Sequence, residues 1–121
     1  MENLTIDYNG RTFTPISNSG SGEVSVGTIF HYHQEDEMLW AEYAGGIIRK
    51  GFMIGRVQPD GRLVFAYHHL NNDGAIRSGN CVSTPERLGD GRLRLHEEWR
   101  WNDGLKESGH SVVDEVHSKT F

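Results

Sequence analysis

The segment RLRLHEEWRW, residues 92–101, sorts into two faces. Leu93, Leu95, Glu97, Trp99 and Trp101 fall on one side, and Arg92, Arg94, His96, Glu98 and Arg100 on the other. Alternation at period two is the mark of a β-strand with one buried face. Glu97 is the exception, a carboxylate in the middle of the apolar side. Burying an unpaired carboxylate is costly, so it needs a partner, a position at a rim, or a ligand.

The same alternation extends outward between regularly placed turns. Turn signals stand at Asn9-Gly10, Gly45-Gly46, Pro59-Asp60-Gly61, Asn72-Asp73-Gly74, Gly89-Asp90-Gly91 and Asn102-Asp103-Gly104. Such dipeptides accept positive φ at little cost and favour hairpins. The intervening runs are rich in Val, Ile, Phe, Tyr, Trp and Thr, without a 3.6-residue pattern of helical length. The run SNSGSG, residues 17–22, reads as a flexible loop that separates a short N-terminal hairpin from the rest.

Three-residue turns with a glycine bulge predict strand registers. They set Val57 opposite Leu63, Gly55 opposite Phe65, Gly51 opposite His69, Tyr67 opposite Gly79 and Cys81 opposite Trp99. They also set Ser83 and Gly109 opposite Glu97, and Leu105 opposite Trp101. A two-residue Gly45-Gly46 turn sets Trp40 opposite Gly51 and Glu42 opposite Arg49, and a loop of Glu35, Asp36 and Glu37 sets Tyr32 opposite Trp40. One face then collects Val26, Phe30, Tyr32, Trp40, Met53, Val57, Leu63, Phe65, Tyr67, Cys81, Leu93, Leu95, Trp99, Trp101 and Val113. Gly51, Gly55, Gly79 and Gly109 share that face, as a curved surface crowded with rings requires. The expected fold is all-β, an up-and-down antiparallel meander closing into a calycin-like barrel of roughly eight strands. It resembles lipocalins and streptavidin; an open sandwich is the competitor.

Composition excludes several classes. The chain has 121 residues, 36% hydrophobic and 24% charged, the size and balance of a single globular domain spanning 1–121. A net charge of −5 with scattered basic residues argues against a nucleic-acid partner. No apolar run approaches the ~20 residues of a membrane-spanning helix, and the N-terminus lacks a signal-peptide pattern. Cys81 is the lone cysteine, which fits a reducing bacterial cytoplasm. The outward face is unusually apolar, with Leu39, Tyr43, Ile48, Phe52, Ile54, Val64, Ala66, Leu70, Ile76 and Val82. A second copy covering it, as a homodimer, is the expectation.

Within the barrel, Gln34, Glu42, Arg49, His69, Arg77, Ser83, Glu97 and Glu107 join the aromatics. Aromatic walls with a few convergent polar groups suit a small-molecule site. The candidate ligand-binding residues are Trp40, Glu42, Arg49, Tyr67, Glu97 and Trp99, for a small apolar or aromatic ligand carrying a polar group. Two alternatives accompany this reading: an enzyme using Glu42 and Glu97 as acid and base, and an interaction module whose interior is simply filled.

His31-Tyr32-His33 with Glu37 is similar to the first metal motif of cupins. However, both histidines fall on the outward face and no second motif follows, so neither a metal site nor a cofactor is expected. Cys81 opposite Trp99 reads as an inert thiol. The stretches GEVSVGTIFHYHQEDEMLWAEYAGG, KGFMIGRV and LRLHEEWRW resemble a group of small bacterial proteins often labelled N-acetylglutamate synthase, which implies acetyl transfer. The chain itself has no Gln/Arg-x-x-Gly-x-Gly/Ala loop opening a helix, the usual cradle of the acetyl-CoA pyrophosphate.

Overall fold

A computed structural model describes residues 6–20, 22–103 and 107–116. The glycine turns act as the sequence suggests. Gly61 N–H donates to the Gln58 carbonyl at 2.9 Å and Gln58 N–H to the Arg62 carbonyl at 2.7 Å. Residues 71–75 and 88–92 repeat this pair of bonds. Gly61, Gly74 and Gly91 take φ of 91°, 85° and 92°, where any side chain would be strained.

These turns connect β1 (Thr12–Asn18), β2 (Ile29–Glu35), β3 (Met38–Gly45), β4 (Ile48–Val57), β5 (Leu63–Asn71), β6 (Ile76–Arg87), β7 (Leu93–Trp101) and β8 (Ser108–Glu115). The strands pair antiparallel in chain order, and β1 returns to β8 to close the barrel. From β4 to β7 the registers match expectation: Val57 faces Leu63, Gly51 faces His69, Tyr67 faces Gly79 and Glu97 faces Ser83. Gly51, Gly79 and Gly109 lie under the rings of Tyr43, Tyr67 and Trp99, so a Cβ at any of them would overlap its ring.

Strand β3 is turned over relative to expectation. The β2–β3 connection uses two residues, with Asp36 at φ 55°, so Glu35 pairs with Met38. A one-residue change in loop length exchanges the faces of a strand. Leu39, Ala41 and Tyr43 therefore point inward and are buried, while Trp40 and Glu42 lie outside. Trp40 stands opposite Ile54 rather than Gly51, and Glu42 opposite Phe52 rather than Arg49. Bulges flank Gly45 and Ile48, leaving Ile48 buried and Arg49 exposed. Val26 lies in the β1–β2 loop and is exposed.

The β7–β8 register also differs, by two residues: Glu97 faces Ser111 and Trp99 faces Gly109. A two-residue slip preserves the faces, so Val113 still points inward. Leu105, expected opposite Trp101, falls outside the described residues. The expected N-terminal hairpin is instead a plug. A turn at Asn9-Gly10 carries Tyr8 into one barrel end, where its hydroxyl donates to the Gly61 carbonyl at 2.7 Å. Ile6, Tyr8 and Phe13 join the buried core.

Candidate functional site

The other barrel end is built around a gap in the sheet. Strands β1 and β2 share only two residue pairs, Thr12 with His31 and Phe13 with Phe30. Beyond Phe13, β1 continues along β8 alone, and residues 22–28, ahead of β2, cross the opening. The Thr14 hydroxyl lies 3.3 Å from the carbonyls of both Val26 and Thr28. Asn18 ties the crossing to the barrel: its side-chain N–H donates to the Val24 carbonyl at 3.0 Å, and its oxygen accepts Trp99 Nε1–H at 2.9 Å.

The crossing places Glu23 over the opening. Its carboxylate meets His69 Nε2 at 3.0 Å, Asn71 Nδ2 at 3.1 and 3.3 Å, and Arg77 Nη1 at 2.7 Å. Each donor is held in turn. His69 is buried and faces the Tyr43 hydroxyl through Nδ1 at 2.9 Å. One neutral tautomer satisfies both contacts, with Tyr43 donating to Nδ1 and Nε2–H donating to Glu23. Asn71 Oδ1 accepts the backbone N–H groups of Asp73 and Ala75. Arg77 is gripped by Asp103 at 2.8 Å and lies 4.0 Å over the Trp101 ring. Burial works to raise the Glu23 pKa. The hydrogen bonds from His69 and Asn71 and the nearby charge of Arg77 outweigh it, and the carboxyl ends below its ordinary value. Burial lowers the His69 pKa, against the opposing pull of Glu23.

Beneath Glu23 lies a cavity of about 50 Å³, lined by Phe30, Tyr43, Met53, Phe65, Tyr67, His69, Cys81, Glu97, Trp99 and Ser111, with Asn18 and residues 22–24 as its roof. That volume suits water-sized contents and falls well below the ~300 Å³ of a typical ligand pocket. Among the described residues, Glu97 accepts one side-chain hydrogen bond, from the Ser111 hydroxyl at 2.8 Å. Burial raises its pKa to about 7, with the Ser111 bond pulling the other way. The Ser83 hydroxyl, opposite Glu97 in the sheet, is buried without a hydrogen-bond partner among the described residues. Burial and the neighbouring Glu97 push the Cys81 thiol up, which keeps it protonated and unreactive.

The six residues singled out by sequence thus divide. Tyr67, Glu97 and Trp99 line the cavity together. Trp40, Glu42 and Arg49 lie outside the barrel, where Trp40 stacks on His33 and Glu42 meets His33 Nε2 at 2.8 Å. Glu42 and Glu97 are on opposite sides of the sheet, so they cannot divide acid and base roles across one cavity. Ser111 and Glu23 escaped the sequence reading. Ser111 was hidden by the two-residue register slip, and Glu23 sits in a segment without periodicity. Among the described residues, no group of three or more His, Cys, Asp or Glu side chains could hold a metal ion.

An eight-stranded up-and-down barrel with one plugged end and an aromatic cavity at the other is the context for the family comparison. Residues 6–116 match the family described as Avidin-like protein. The chain belongs to that family. Comparisons with curated proteins and with solved structures give no match. Avidin-like barrels are of a type that holds one small ligand inside. In this avidin-like chain the barrel interior holds the aromatic cavity around Glu97.

Proposed function

We propose that the protein binds a small ligand with an apolar or aromatic body and a polar group, seated among Phe65, Tyr67 and Trp99 with its polar group on Glu97. The observation that carries this reading is Glu97 itself, a buried carboxylate facing an aromatic cavity with one hydrogen bond from the described residues. A filled interior would have satisfied it or replaced it. A ligand larger than water enters by displacing residues 22–24, which roof the cavity and lie outside the strands. The acetyl transfer implied by the sequence resemblance is not favoured: every regular element among the described residues is a strand, leaving no helix N-terminus for a pyrophosphate.

The test is native mass spectrometry of protein purified from a bacterial host, compared with the denatured mass. A retained small molecule, absent from Glu97→Leu, is the expected result. The same bare mass for both proteins, with both folded, would reject the reading.

We further propose that a second copy covers the outer face of β4–β6. Phe52, Ile54, Val64, Ile76 and Val82 are all exposed on these three strands, with Val64 paired to Val82. Sedimentation velocity should show a dimer that Ile54→Lys converts to a folded monomer. A wild-type monomer at micromolar concentration would refute it. The reducing cytoplasm is the compartment we assign, since it suits a lone buried thiol.

A further inference from the structure

The N–H and O–H groups of the rings that line the cavity are already given to protein. Tyr67 donates its hydroxyl to the Arg100 carbonyl at 3.3 Å, and Trp99 donates Nε1–H to Asn18 Oδ1 at 2.9 Å. The Tyr43 hydroxyl meets His69 Nδ1 at 2.9 Å, and His69 Nε2 meets Glu23. The Ser111 hydroxyl goes to Glu97. What remains is the Glu97 carboxylate, with acceptor capacity to spare, and the rings of Phe30, Tyr43, Phe65, Tyr67 and Trp99. The cavity therefore offers an acceptor and π-systems, and its ring donors are spent.

Charge points the same way. Among the described residues, no Lys or Arg lines the cavity. At its mouth Arg77 is shared between Glu23 at 2.7 Å and Asp103 at 2.8 Å, so two carboxylates outweigh one guanidinium there. The chain as a whole carries a net charge of −5. An anionic ligand would meet a repulsive field at the entrance, and a cation an attractive one.

We propose that the cavity binds a primary ammonium group on a small apolar body, with its N–H groups on Glu97 and its charge against the surrounding rings. The proposal rests on the binding reading above and gives the ligand's polar group its charge and hydrogen-bonding class. An ammonium ion brings three donors and no acceptor, the complement of what this wall presents. Its loss of hydration is offset by a charge-assisted bond to the buried carboxylate and by cation–π attraction. Glu97 is then the counter-ion of the ligand instead of a charge buried alone.

The experiment is calorimetric titration of the wild type with phenethylammonium chloride and with phenethyl alcohol, which keeps the body and replaces the cation by a neutral hydroxyl. At pH 8 the ammonium should bind about tenfold more tightly than the alcohol. Glu97→Gln should bring the two affinities together. Binding of the ammonium should also weaken about tenfold from pH 8 to pH 6, as Glu97, with a pKa of about 7, takes up a proton. The amine stays charged over this range. Around Glu97, Tyr32, Tyr43, Tyr67 and Cys81 stay neutral, and so does His69, while Glu23, Arg77 and Asp103 stay charged, so the profile reports Glu97.

Equal affinities for amine and alcohol would overturn the inference and leave a binder of neutral aromatic ligands standing. A preference for the amine that persists in Glu97→Gln would overturn it too, by placing the cation elsewhere. Binding of neither compound would overturn it and leave the native mass measurement to decide the wider reading. Should Glu97→Gln fail to fold, the wild-type profile decides: equal affinity at pH 6 and pH 8 would refute the ammonium contact.

Discussion

The protonation of Glu97 offers the sharpest test of the interior. Its side chain is buried, takes one hydrogen bond from Ser111, and has its pKa raised from 4.5 to about 7. Tyr32, Tyr43, Tyr67 and Cys81 surround it, and burial keeps all of them neutral throughout this range. A carboxyl group with a raised folded-state pKa holds its proton in the folded protein after the unfolded chain has released it. The stability it contributes is therefore complete below pH 4.5 and is lost as pH rises toward 7. Moving from 4.5 to about 7, at roughly 1.4 kcal/mol per tenfold change in the ionisation constant, amounts to about 3 kcal/mol.

Glu97→Gln keeps the shape of the protonated acid and cannot ionise. Its added N–H group has a free acceptor nearby in the Ser83 hydroxyl opposite. Urea unfolding at pH 5, 6, 7 and 8 should give nearly equal stabilities for both proteins at pH 5. The variant should lead by about 3 kcal/mol at pH 8. Glu23 and His69 have lowered pKa values, so each loses stabilisation as pH falls and slopes the other way. Both are present in both proteins and cancel in the difference. A difference that does not change with pH would show that Glu97 is not held in a desolvated cavity, and would refute the reasoning.

Other perturbations probe the remaining parts of the architecture. Tyr8→Phe strips the Gly61 carbonyl of its buried donor and should cost about 1–2 kcal/mol in urea unfolding, with amide exchange quickening at the β4–β5 turn. Unchanged stability would mean that Tyr8 does not seal that end. Gly79→Ala forces a Cβ against the Tyr67 ring and the Arg100 carbonyl, and should destabilise by about 1–3 kcal/mol. Gly89→Ala, with open space around it, should change stability by less than about 1 kcal/mol. Asn18→Ala removes the acceptor of Trp99 Nε1–H and should cost about 1 kcal/mol while shifting the tryptophan emission. An unaltered spectrum would contradict that contact.

Much of the barrel was readable because its turns and its alternation constrain each other. Between β4 and β7 the loops around Gly61, Gly74 and Gly91 each admit one geometry, and a slip would have carried Phe65, Cys81 and Trp99 into water. Strand β3 had no such protection. The acidic run Glu35–Glu37 tolerates a turn of two residues or three, and both faces of β3 carry a large ring, Trp40 on one and Tyr43 on the other. Packing between strands settled the choice, burying Tyr43 against Phe30 and leaving Trp40 on His33 outside.

By itself, then, the sequence determined the all-β meander, its inward aromatic set and the anomaly of Glu97, because these are properties of neighbouring strands joined by short turns. Tertiary structure alone decided what surrounds Glu97 and what closes the opening. Glu23 meets His69, Asn71 and Arg77 across separations of 46, 48 and 54 residues, contacts that exist only once the barrel closes. Local periodicity carries no information about such pairings, since they depend on where an irregular crossing comes to rest on a completed sheet.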